Sequence, residues 1–115
     1  MKTLFILIPL FFFSCSNFFE PEIYNVEYKI TGTASTVDVT LNNSTGGTEQ
    51  FSNVPLPVTY TYNDFKDWFL YISAQNQGTS GSVTVSIYVN DDLKKSSTSS
   101  GAYVIATASD TLDIE

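Results

Sequence analysis

The sequence predicts an all-β protein, a single immunoglobulin-like β-sandwich of seven or eight antiparallel strands with no disulfide. Three observations predict it. Short runs in which apolar and polar residues alternate recur at spacings of about ten residues, the rhythm of a sandwich. Turn clusters rich in Gly, Pro, Asn, Asp and Ser separate every run from the next. Beyond the apolar start of the chain, no stretch repeats its apolar residues at the helical period.

The elements follow in order. Tyr24, Val26, Tyr28 and Ile30 alternate with Asn25, Glu27, Lys29 and Thr31, so one face of this strand is apolar and the other wet. Gly32 ends it, and Val37, Val39 and Leu41 against Asp38 and Thr40 form the next strand, expected to pair with the first as a hairpin across Gly32 to Ser35. Asn42 to Gly47 is a second turn. Thr48 to Val54 is a weaker strand with Phe51 as its clearest apolar residue. In Val54-Pro55-Leu56-Pro57 two prolines remove ladder donors, so this is a crossing between sheets or an edge kink. Val58, Tyr60 and Tyr62 resume the alternation, and Asn63 to Asp67 turn the chain again.

The stretch from Trp68 to Thr107 organises the rest. Trp68 to Ala74 carries large apolar groups at odd and even positions, which predicts a central strand. Gln75 to Gly81 is turn chemistry. Val83, Val85, Ile87 and Val89 alternate with Thr84, Ser86 and Tyr88, and Asn90-Asp91-Asp92 reverses the chain. Lys94 to Ser100 holds no large apolar group and includes two lysines, which predicts an edge strand protected from further pairing. After Gly101, Ala102 to Thr107 is expected to be a second strand buried on both sides, and Trp68 is expected to pack in the core without a disulfide beneath it.

The chain opens with Met1-Lys2 and an apolar run from Leu4 to Phe13, a basic start and apolar middle too short to cross a bilayer of about 30 Å. Ser14-Cys15 follows at its end. The pattern resembles bacterial lipoprotein signals, in which a small residue precedes a Cys that is acylated before cleavage. Residues 1–14 are therefore expected to be a lipoprotein signal peptide, 15–22 a lipidated tether beginning at Cys15, and 23–115 the β-sandwich domain. The absence of Asp just after the Cys implies, by analogy with lipoprotein sorting, the outer rather than the inner membrane. Phe18 and Phe19 in the tether would pack on the domain, sit near the lipid surface, or simply begin a strand.

Composition excludes several functions. Five lysines and no arginine stand against twelve acids, for a net charge of −7. Such a surface repels phosphate backbones, so nucleic acid is not an expected partner. The chain has no His, the commonest general base and metal ligand, and its single Cys rules out an internal disulfide.

Each candidate site also has a plain structural role. Asp64 with Asp67, or Asp91 with Asp92, could offer carboxylates to Ca²⁺, but the spacing lacks a ligand-rich loop, and solvated turn acids are the simpler reading. Ser44, Ser80 and Ser99 sit in Gly-containing turns with no His or Ser-x-x-Lys arrangement to activate them. No catalytic residue, cofactor or metal is expected, and the protein is not expected to be an enzyme. Of the seven tyrosines, most fall on core-facing positions. Tyr71 and Tyr88 lie opposite the main apolar stripes of their strands and are the candidate interaction surface: buried under a further layer if their sheets are covered, exposed aromatics if not.

Tyr28 to Ala34, Val54 to Pro57, Ile72 to Asn76, Val83 to Asn90 and Ser99 to Tyr103 together resemble the exported domain of the mycobacterial MmpS family, in order over most of residues 24 to 108. The resemblance implies a membrane-anchored β-sandwich that serves as accessory to an exporter of the resistance-nodulation-division type. Those relatives use a spanning helix and carry paired cysteines, where this chain would use a lipid on Cys15 and has no second Cys. Two functions follow as expectations: a non-enzymatic, lipid-anchored module of an envelope transport complex, or an adhesive sandwich binding a glycan or an envelope surface.

Overall fold

The structure, a computed structural model, describes residues 23–112. These form eight strands: β1 (Val26–Thr31), β2 (Thr36–Asn42), β3 (Thr48–Pro55), β4 (Val58–Tyr62), β5 (Phe69–Asn76), β6 (Ser82–Val89), β7 (Asp92–Ser100) and β8 (Ile105–Thr111). They make two four-stranded antiparallel sheets, β4-β1-β6-β7 and β3-β2-β5-β8. The expected all-β sandwich is what the chain forms.

The alternation read from the sequence is what presses the sheets together. From the first sheet Val26, Tyr28 and Ile30 of β1 and Val83, Val85, Ile87 and Val89 of β6 are buried. They meet Val37, Val39 and Leu41 of β2, Leu70, Ile72 and Ala74 of β5, and Ala106 and Ala108 of β8. Each large aliphatic group so enclosed contributes roughly 1.5–3 kcal/mol relative to an exposed one. Along the β3/β4 side, Phe51 and Tyr60 stack with centroids 4.8 Å apart and join one edge strand of each sheet.

β5 is central, between β2 and β8, as its two-sided apolar sequence predicts. β7 is an edge, also as predicted. Three expectations are corrected. β1 and β2 do not form a hairpin, because they belong to different sheets and residues 32–35 carry the chain across. The crossing is tight: a Cβ on Gly32, whose φ is 138°, would lie 2.1 Å from the Ser82 carbonyl oxygen. Ala102 to Thr107 is not a doubly buried strand; β8 begins only at Ile105, which is exposed, and it is an edge. Apolarity there reflects one buried face, held by Ala106 and Ala108. Trp68 lies just before β5 and is 57% exposed, because the strand's inward alternation starts at Leu70.

Turn chemistry sets the remaining joins. Residues 55–57 cross from the second sheet to the first between β3 and β4. Asn90 and Asp91 both have positive φ, 49° and 71°, which gives the two-residue β6–β7 turn the twist that suits a hairpin. Two edge strands carry bulges. Between Val37 and Val39 of β2 lies one residue, but their partners on β3, Val54 and Phe51, are separated by two. On β7, Lys94 is the extra residue, between the Ile87–Lys95 and Tyr88–Leu93 pairs.

Candidate functional site

On β5, Leu70, Ile72 and Ala74 point into the core, so Phe69, Tyr71, Ser73 and Gln75 face outward on the second sheet. No layer covers that face among the described residues. Phe69 and Tyr71 lie with rings nearly parallel, 17° apart with centroids at 6.2 Å. Trp68 adds a third ring, tilted 56° to Phe69 at 5.7 Å. The three make a continuous aromatic strip running down to one pole of the sandwich.

Ladder register puts hydroxyls beside the rings. Phe69 pairs with Thr111, Tyr71 with Ser109 and Ser73 with Thr107. Thr40 of β2 pairs with Ser73 from the other side, which gives a polar row one pleat from Tyr71.

The strip is held from beneath. Asn42, buried at the end of β2, donates through Nδ2 to Asp67 Oδ2 at 2.9 Å and to the Phe69 carbonyl. The same Asp67 oxygen accepts the Phe69 N–H at 3.4 Å. The buried Tyr28 hydroxyl donates to the Asn42 carbonyl at 2.7 Å and accepts the Tyr71 N–H at 3.4 Å. Burial pushes the Tyr28 phenol well above its usual range. The backbone carrying the rings is thereby fixed to both sheets.

The described chain begins at the same pole. Asn90 N–H donates to the Asn25 carbonyl, and Asn90 Oδ1 accepts the Asn25 N–H, both at 2.8 Å. Phe65 N–H donates to the Tyr24 carbonyl at 2.7 Å. A cleft of about 320 Å³ opens beside these contacts, lined by Tyr24, Asn90, Asp92, Lys94, Thr111 and Leu112. Leu112 N–H donates to the Trp68 carbonyl, so the cleft and the aromatic strip share a border.

Of the two residues expected to form the interaction surface, Tyr71 is in the strip. Tyr88 is on the outer face of the other sheet, where the Lys29 ammonium sits 4.7 Å from its ring centroid. The structure does not bring the two together. Trp68 and Phe69 belong to the site and sequence reasoning assigned them to the strand's interior; the signal that could have found them is their position beside a polar, acidic turn.

The turn acids have local partners. Asp64 pairs with Lys66 at 3.0 Å, and Asp67 is engaged by Asn42. Asp91 lies in the β6–β7 turn, and Asp92 opens β7. Among the described residues no three His, Cys, Asp or Glu side chains converge. Ser44 lies in the β2–β3 turn, whereas Ser80 and Ser99 are at the other pole, where Ser99 Oγ donates to the Ile105 carbonyl at 2.9 Å. Cys15 and the residues expected to form a signal peptide and tether lie outside the described residues.

Among the described residues, fold and surface together define a helix-free sandwich with an uncovered aromatic strip. Compared with known proteins, the chain matches no family model and no curated protein.

Proposed function

We propose that the protein is a non-enzymatic interaction module of the bacterial cell envelope, held on the outer membrane by a lipid on Cys15 and meeting its partner through the strip of Trp68, Phe69 and Tyr71. The observation that carries the reading is Trp68: a large aromatic group 57% exposed, continuous with two more on an uncovered sheet face, marks a contact surface. The position of Ile23 supports the orientation. Asn90 Nδ2 donates to its carbonyl, so the proposed anchor joins the domain at the strip's pole, and several acyl chains on one N-terminus suffice for stable anchoring. The serines at opposite poles, in a chain without His, offer no nucleophile and base in reach of each other.

The resemblance to the exported MmpS domain supports an envelope transport complex as the partner. Two experiments test the reading. Metabolic labelling with a fatty-acid analogue is expected to mark the parent and not Cys15→Ser; an unlabelled parent would refute the anchor. Affinity capture from solubilised membranes is expected to recover a transporter component with the parent and to lose it with Trp68→Ala.

A further inference from the structure

We infer that the strip and its neighbouring cleft form a binding site for uncharged saccharide, in which Trp68, Phe69 and Tyr71 take the C–H faces of sugar rings. The inference rests on reading the strip as a contact surface and is independent of the lipid on Cys15.

A pyranose has two chemically distinct parts, a face of C–H bonds and a rim of hydroxyls. The face gains by lying on an aromatic ring, and the rim needs donors and acceptors in place of water. This surface supplies both in adjacent rows. The three rings run along the start of β5, and the register sets Thr111 beside Phe69 and Ser109 beside Tyr71, with the Thr40, Ser73 and Thr107 row one pleat away. At the pole the cleft adds an amide, a carboxylate and an ammonium from Asn90, Asp92 and Lys94. It connects to the rings through Thr111, the ladder partner of Phe69, and Leu112, whose N–H donates to the Trp68 carbonyl.

The distribution of charge narrows the class. Asp38 is the charged residue on the outward register of the second sheet, whose strands carry no lysine, and in the cleft Asp92 balances Lys94, so the surface offers sulfated sugars and uronates no excess of positive charge. The strip is one strand wide and bordered at once by hydroxyls, dimensions that suit a row of sugar rings. The rings are also preset, because Asn42 and Tyr28 fix their backbone, so binding costs little ordering.

The test uses the full-length protein in detergent, run by affinity electrophoresis through gels containing laminarin, mannan, xylan or dextran, with heparin and hyaluronate as charged controls. Retardation is expected in at least one neutral gel and in neither charged one, with a shift in Trp68 fluorescence on adding the retarding sugar. Trp68→Ala is expected to weaken that binding by about tenfold or more. Tyr88→Ala, on the opposite face, is expected to leave it unchanged, and equal thermal midpoints for both variants exclude misfolding. No retardation in any neutral gel, retardation only by the charged sugars, or equal binding by Trp68→Ala would overturn the proposal. Capture of an envelope protein through Trp68 without sugar binding would also overturn it while sparing the interaction-module reading.

Discussion

The hydroxyl of Tyr28 on β1 donates 2.7 Å across the core to the carbonyl of Asn42, the last residue of β2. One side chain of the first sheet therefore satisfies backbone groups of the second, since the same oxygen accepts the Tyr71 N–H. Tyr28→Phe keeps the ring and strands both groups. The expected cost is about 1–3 kcal/mol, read from urea unfolding with an unchanged m-value.

Asn42 repeats the arrangement one step further out, toward Asp67 and Phe69. Asn42→Ala is expected to cost about 1–3 kcal/mol and to free the backbone under the strip. Faster amide exchange at Phe69 and Tyr71, absent from a Ser73→Ala control, would check it; equal exchange in both would mean the rings are held by something else.

Asn76 is fully buried at the far pole, where Nδ2 donates to the carbonyls of Ser80 and Gly101, each at 2.9 Å, and Oδ1 accepts the Gly78 N–H at 2.8 Å. Asn76→Asp turns a donor into a charged acceptor facing two carbonyls. At neutral pH it is expected to destabilise by more than Asn76→Ala, which itself costs about 2–3 kcal/mol. Thermal unfolding of the two variants side by side decides the order.

Gly32 and Gly101 both have positive φ, yet they differ in room. A Cβ at Gly32 meets the Ser82 carbonyl oxygen at 2.1 Å, while at Gly101 the nearest atom is Val104 Cγ1 at 3.5 Å. Gly101→Ala is expected to cost about 1 kcal/mol, and Gly32→Ala clearly more, because backbone must move as well as strain. Equal midpoints in denaturant would contradict the tight crossing.

Burial, reinforced by the neighbouring Glu49 carboxylate, pushes the Tyr62 phenol up to about 12. An unfolded chain ionises tyrosine near about 10. The folded state thus disfavours the charged form, and the stability tied to the neutral phenol is complete below about pH 10 and is lost as pH rises toward about 12. Tyr62→Phe is expected to flatten the stability profile across that window and to remove part of the phenolate absorbance change at its upper end.

The strands were legible because period-two alternation is a local property: β1, β2 and β6 bury the residues their sequences mark as apolar. Partner choice was less so. Gly32 to Ser35 reads as a hairpin turn by composition, and only the pairing of β1 with β4 and β6 shows that the chain crosses sheets there. Ala102 to Thr107 and Trp68 failed for a related reason. An apolar residue at a strand's end has the composition of core, but whether a second layer extends that far is a property of the assembled sheets. Tyr71 was found because its odd position opposes the Leu70–Ile72–Ala74 stripe. Phe69 shares that parity and was missed because the run was read as buried on both faces.

The bulges on β3 and β7 matter for how such molecules coexist. Proteins confined to a bilayer meet far more often than the same number in solution, and a straight, unbroken sheet border would invite neighbours to stitch into fibres. The irregular margin at Asn53, followed by Pro55 on one sheet, and the Lys94–Lys95 pair on the other, interrupt such stitching. In the proposed anchored form these two borders are thereby closed to strands of neighbouring copies.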